Sequence, residues 1–193
     1  MEVVRKFALL LSFVLSVFYP LNAQRIEKGL VKTELTISPA KMLASNHANF
    51  YMHGSLDIYL SSKYSFSSST YFYLGELNSE LTLFEQNHSI FYGISRHFVK
   101  GKSDAYISFQ PGFALTQLQN NDLIVFAKIK RETAINPMAS IAAGYNFFVA
   151  GIFHFFTELR FVAGNHNTNI RTSLSEIRFS AGLGFNINTI RSK

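Results

Sequence analysis

The chain has 193 residues, 48% of them hydrophobic and only 16% charged, with 20 Phe, 9 Tyr and a formal net charge of +6. A typical soluble domain carries roughly 25% charged residues, so this surface is not an ordinary wet one. Cysteine is absent, which excludes disulfides, cysteine-ligated zinc, thiol nucleophiles and a lipid anchor on an N-terminal Cys.

The N-terminus places Arg5 and Lys6 before an uncharged apolar run from Phe7 to Phe18. Pro20 breaks the run, and the small residue Ala23 precedes Gln24. This layout predicts a cleavable secretory signal over residues 1–23, since the run is short for a membrane-spanning helix. Residues 24–193 then form one domain. The later apolar run at 145–156 is interrupted by Asn146, Gly151 and His154 and does not read as a spanning helix.

From there the chain alternates. Residues 31–38 set Val31, Thr33, Leu35 and Ile37 against Lys32, Glu34, Thr36 and Ser38; residues 55–60 set Leu56 and Ile58 against Ser55 and Asp57. Residues 69–75 are aromatic on both parities, so their facing is unreadable. Further alternating stretches cover 89–98, 105–116, 135–147, 149–164 and 176–187. Eight such runs separated by turn-like residues predict eight β-strands. Pro111 and Pro137 cannot donate to a ladder and are expected at strand ends or bulges. Connections at 61–68, 99–104 and around 147–148 are short, whereas those at 39–49, 76–87, 117–133 and 165–172 are mostly longer and more polar. Short turns on one rim and longer loops on the other is the outer-membrane barrel pattern.

Alternation alone does not say which face is inside. The polar parity mixes charges with Gly, Ser, Ala and Asn, while the other parity is almost wholly Phe, Ile, Leu, Val and Ala. A soluble lipocalin-like barrel would put the large apolar set inside and a dense Lys/Glu surface outside. A narrow eight-stranded membrane barrel requires the reverse, because its interior holds only packed side chains and its outer face meets hydrocarbon. Ile177, Phe179, Leu183 and Phe185 are therefore expected to face lipid, and Glu176 and Arg178 the lumen. The segments GISRHF (93–98), SFQPGFAL (108–115), FHFFTELRFVAG (153–164) and FSAGLGFNI (179–187) resemble small outer-membrane β-barrel proteins of Gram-negative bacteria. The resemblance implies an all-β fold, an eight-stranded antiparallel up-and-down transmembrane β-barrel of OmpA/OmpX type, in the outer membrane and monomeric. One departure is the ending NINTIRSK after Phe185, where such chains often finish on an aromatic residue read by the barrel assembly machinery.

The lumen candidates are Lys32, Glu34, Asp57, Glu158, Arg160, Glu176 and Arg178, three cations and four anions. Buried charge is tolerable when paired, so these predict a salt-bridged plug, with Glu158/Arg160 and Glu176/Arg178 as opposite charges across neighbouring strands. The alternative is a small pore in which Arg160 or Arg178 changes partners. The six histidines lack metal-ligand spacing, and no cofactor is expected. A lipid-A-modifying site around His97 with Ser95, or around His166, is a further alternative without motif support, as is a periplasmic binding protein. The cluster Lys128, Lys130 and Arg131 in KIKRE falls in a long connection, where charge-assisted donors suit lipopolysaccharide phosphates. No nucleic-acid motif appears, and none is expected as a partner. The sequence thus predicts an outer-membrane barrel with a structural, adhesive or surface-interaction role, a charged plug and no chemistry of its own.

Overall fold

The computed structural model describes residues 26–77, 83–119, 133–167 and 171–189. Its elements are β1 (Leu30–Met42), β2 (Ala48–Tyr59), β3 (Tyr64–Leu77), β4 (Phe84–Lys100), β5 (Ser103–Leu118), β6 (Thr133–Ala150), β7 (Phe153–Asn167), β8 (Arg171–Ser173) and β9 (Glu176–Asn188). Each long strand pairs antiparallel with its neighbour in sequence, and β1 pairs with β9. The eight long strands therefore close into a barrel, which leaves no sheet edge unpaired. β8 is a three-residue extension hydrogen-bonded to the end of β7. The proposed signal segment, residues 1–23, lies outside the described residues.

The facing follows the sequence parity. Leu35, Ile37, Phe109, Phe113, Leu159, Phe179 and Phe185 point out and are exposed, while Lys32, Glu34, Ser38, Arg160, Glu176, Arg178 and Ser180 are buried inside. This inversion of a soluble protein's burial is what hydrocarbon outside and backbone groups satisfied by a closed ladder require.

The strands run longer than the alternation suggested. The serine-rich stretch after β2 is mostly strand, because Ser65, Ser67 and Ser69 face inward; only residues 60–63 turn. Residues 151–152 turn between β6 and β7, four residues later than expected. Small polar residues that line a narrow barrel look like loop when read locally. The ambiguity at 69–75 has a definite cause: Tyr71 and Tyr73 face inward while Phe72 and Leu74 face out, so large side chains occupy both faces, and a bulge follows. The β2–β3 register shifts so that Phe50 faces Gly75 and Tyr51 faces Tyr73, leaving Leu74 as the extra residue of a bulge. Tyr71 and Tyr73 face inward before it, and the Glu76 carboxylate is buried after it, so the parity changes at Leu74. A bulge of this kind re-aims side chains.

The prolines divide. Pro137 sits near the start of β6, one residue before its ladder to β7 begins. Pro111, expected at a strand end or a bulge, lies in the middle of β5 at an interruption of the ladder. It is tolerated because β4 and β5 have no backbone pairing at residues 92–93 and 110–111. Gly93 beside this lapse lies so close to the backbone of Phe109 and Gln110 that a Cβ would overlap them.

Candidate functional site

The lumen has an apolar cluster at each end and polar side chains between. At the short-turn end Ile26, Leu30, Tyr59 and Phe148 pack together. At the long-loop end Met42, Tyr51, Phe84, Phe91, Met138 and Leu174 belong to a larger cluster.

Above the short-turn cluster the Lys32 ammonium donates to Glu34 at 2.7 Å, Asp57 at 3.0 Å and the Asn146 carbonyl at 3.1 Å. An ammonium has three donors, and each has an acceptor. Glu34 also accepts from the Ser55 hydroxyl at 2.7 Å and lies 3.2 Å from His154 Nε2. Asp57 accepts from the Ser67 hydroxyl. Beside them is an arrangement the sequence did not disclose. Ser65 Oγ is 2.8 Å from His97 Nε2, and His97 Nδ1 is 2.9 Å from Asp104, which also accepts from Tyr59 OH at 2.6 Å. The order hydroxyl, imidazole, carboxylate is that of a serine hydrolase triad. Ser95, the residue paired with His97 by sequence, instead meets Ser67 at 2.7 Å. His166 meets Thr116 at 2.7 Å near the other end.

In the middle of the lumen Arg160 binds Glu158 through two nitrogens, at 2.9 and 3.1 Å, and donates further to Gln110, Ser140 and Ser69. Glu158 accepts from Tyr106 OH at 2.8 Å. Next toward the long loops, Arg178 donates to Glu176 at 2.9 Å and to Ser89 at 2.8 Å. Its guanidinium lies over Tyr51 and Tyr71, 4.3 and 4.4 Å from the ring centroids, a cation–π geometry. Glu176 also accepts from Asn49 at 2.7 Å and Tyr51 OH at 2.8 Å.

All seven charged residues singled out from sequence thus point inward and meet an opposite charge. The pairing direction differs from expectation. The register sets Arg160 opposite Arg178, Glu158 opposite Ser180 and Glu176 opposite Val162. The ion pairs therefore run along β7 and along β9, between residues two apart on one face, rather than across them. The two like charges use separate acceptors, Arg160 on β3, β5 and β6 and Arg178 on β4, although both guanidiniums lie near the Tyr71 and Phe91 rings. Asp104, Tyr51, Tyr71 and Tyr106 were missed as lumen partners. Tyr106 does fall on the polar parity of its strand, which was the available signal. Asp104 falls in the connection expected at 99–104, whereas β4 and β5 extend almost to Gly101 and bring it into the barrel wall. Lys128, Lys130 and Arg131 lie outside the described residues. Among the described residues no group of three or more His, Asp or Glu is placed to hold a metal.

No family model and no curated protein matches the chain. Solved structures do match. The outer membrane protein OprG from Pseudomonas aeruginosa aligns over 87% of this chain and 100% of its own, with a TM-score of 0.63 at 8% identity. This chain has the fold of the small outer-membrane barrels. Neisserial surface protein A aligns over 82% of this chain and 96% of its own, with a TM-score of 0.61 at 10% identity. Ail, the attachment invasion locus protein of Yersinia pestis, solved in complex with the heparin analogue sucrose octasulfate, aligns over 83% and 99%, with a TM-score of 0.52 at 11% identity.

Proposed function

We propose that the chain is exported, loses residues 1–23, and sits in a Gram-negative outer membrane as a monomeric barrel with a structural, adhesive or surface-interaction role. The observation that carries this reading is the inside-out burial: exposed Leu, Ile and Phe around the barrel, with Lys32, Glu34, Glu158, Arg160, Glu176 and Arg178 buried in the lumen. The similarity to a surface protein and to an attachment protein supports a role at the cell surface. The lumen is closed. Its ion pairs are saturated or nearly so, its two ends carry apolar clusters, and eight strands leave room only for side chains. No steady conductance is expected in planar bilayers, and long-lived channels from purified protein would replace this reading with a pore.

The Ser65–His97–Asp104 relay serves structure rather than hydrolysis. Ser65 and Asp104 are fully buried, Ser65 Oγ also contacts Ser67 at 3.1 Å, and Tyr59 and Phe148 cover that end of the lumen. A substrate carbonyl has no approach to Oγ. Lys128, Lys130 and Arg131 serve as contacts for lipopolysaccharide phosphates, and the barrel assembly machinery inserts the chain. Cell fractionation with a heat-modifiability gel tests the core of this proposal. A heat-shifted band in the outer-membrane fraction is expected, and recovery in the soluble periplasm would sink it.

A further inference from the structure

The barrel gathers on one rim a set of cations that are scattered in sequence. Lys63 ends the β2–β3 turn, Arg96 lies near the end of β4, and Lys100 and Lys102 flank Gly101 in the next turn; all four are exposed. The register makes them neighbours. Arg96 pairs with Tyr64, and the His97 amide donates to the Lys63 carbonyl at 2.8 Å. β4 then runs on to Lys100, so the second turn projects just past the first. Lys28, also exposed, joins the same arc, because Gly29 beside it donates to the last residue of β2. None of these five has a carboxylate partner among the described residues. The nearest acid in sequence, Glu27, accepts from Asn188 at 3.1 Å, and Asp104 is committed inside the lumen. The turns are held by the Ser61 hydroxyl, which accepts from the Lys63 and Tyr64 amides at 3.2 Å, and by Gly101 at a φ of 61°.

We infer that this arc binds anionic phospholipid headgroups in the leaflet at the short-turn rim. The argument for lipid over a soluble partner is Arg96. It occupies a lipid-facing position between Ile94 and Phe98, which are exposed on the same face, and its guanidinium lies 5.5 Å from the centroid of the Phe98 ring. Such a side chain lays its stem on apolar surface and carries its head to the interface. There, with Tyr64 alongside, it meets a phosphate at headgroup depth while the turn lysines meet it from the aqueous side. Clustered cations at an anionic surface act additively. The opposite arc, around the β6–β7 turn at Gly151 and Ile152, has no charged residue among those described, so the annulus is polarised: anionic lipid is held beside β3–β5 and not beside β6–β7. In the outer-membrane reading, on which this inference rests, the short-turn rim faces the periplasm and the lipid belongs to the inner leaflet.

The test uses the full mature chain in nanodiscs of phosphatidylcholine with one-fifth phosphatidylglycerol, comparing wild type with a variant carrying Lys63→Gln, Arg96→Gln, Lys100→Gln and Lys102→Gln. Lipid retained on detergent extraction is read by native mass spectrometry. Wild type should retain phosphatidylglycerol over phosphatidylcholine by about tenfold, fading with added salt, and the variant should lose that preference. A Lys41→Gln control on the far rim should keep it. Heat-modifiability of each protein reports folding, so a chain that never inserts defeats the barrel reading, whereas an inserted wild type without lipid preference defeats only this inference. Because four surface substitutions could impair folding, Arg96→Gln alone is included and should reduce the preference severalfold. Displacement of the lipid by soluble glycerol phosphate would make the arc a free-anion site and overturn the lipid assignment. Cation-dependent binding to isolated peptidoglycan with unchanged lipid retention would overturn it as well.

Discussion

Lys32 and Arg178 are both fully buried cations in one lumen, and they are held by different means. Lys32 has a hydrogen-bond acceptor for each ammonium proton, two of them carboxylates. Arg178 has one carboxylate and one hydroxyl, its Nη2 is without a partner, and much of its surroundings is the faces of Tyr51 and Tyr71. The short-turn end of the lumen is therefore knit by localised hydrogen bonds to a point charge. The long-loop end is packed around a planar cation that fits between aromatic rings, a role Lys does not fill equally well. Two cations of equal charge should accordingly differ in what their loss strands.

The largest effect is expected at Lys32. Lys32→Met leaves Glu34 and Asp57 without their shared cation, and breaking a buried pair typically costs ~3–5 kcal/mol. The upper end is expected here, read as a lowered urea midpoint in liposomes. Arg178→Ala should lie at the lower end, because Asn49 and Tyr51 continue to donate to Glu176. Converting Arg178 and Glu176 together to Met and Gln should recover most of that loss, since no stranded charge remains. If all three proteins share the wild-type midpoint, the lumen is wet and the contrast between its ends disappears.

The contrast presumes that the polar parity is inside, and substitutions on the other face test that. Leu159 faces out near the middle of β7, opposite Ala143 and Phe179. Phe155 faces out near the short-turn end of the same strand. Arg on the lipid face costs ~2–4 kcal/mol at the midplane and ~0–1 near the interface. Leu159→Arg should thus impair insertion into liposomes markedly and Phe155→Arg only slightly. Equal effects would mean that the band seen by lipid is not centred on Leu159.

Much of this was legible in the sequence, and the losses have identifiable causes. Parity assigned inside and outside for Lys32, Glu34, Asp57, Arg160 and Arg178 because β-structure repeats every two residues. It failed at 69–75 because inward Tyr71 and Tyr73 put aromatic rings on both faces, and at 61–68 because inward serines look like turn residues. Partners were only partly legible: Glu158 with Arg160 and Glu176 with Arg178 were named from sequence and do meet, but not the direction of the contact or the other partners. Whether such a pair closes along one strand or across two depends on register and on where side chains find room, and His97 with Ser65 depends on pairing between β3 and β4. The basic arc was invisible for the same reason: Lys63, Arg96 and Lys102 are neighbours only after the strands are zipped.

A smaller effect than that of Leu159→Arg is expected at the seam where β1 and β9 meet. The β5–β6 ladder is continuous from Ser103 with Phe147 to Gln117 with Thr133. The β1–β9 ladder keeps one register but lacks backbone pairing at residues 35–39 and 179–183. Side-chain hydroxyls bridge the interval: Thr36 donates to the Ala181 carbonyl at 2.8 Å, Ser38 to the Phe179 carbonyl at 2.8 Å, and Ser180 to Ser38 at 3.0 Å. Pro39 has no amide to contribute. A net hydrogen bond is worth ~0.5–1.5 kcal/mol, so Thr36→Val with Ser38→Ala should lower stability by roughly 1–3 kcal/mol. It should also speed amide exchange at 35–38 and 179–183 relative to β5–β6. Ser108→Ala is the matched control: that hydroxyl is buried in the continuous ladder without a partner, and its removal should fall within about 0.5 kcal/mol of wild type. Equal exchange in both ladders before and after substitution would mean that backbone, not hydroxyls, closes the barrel.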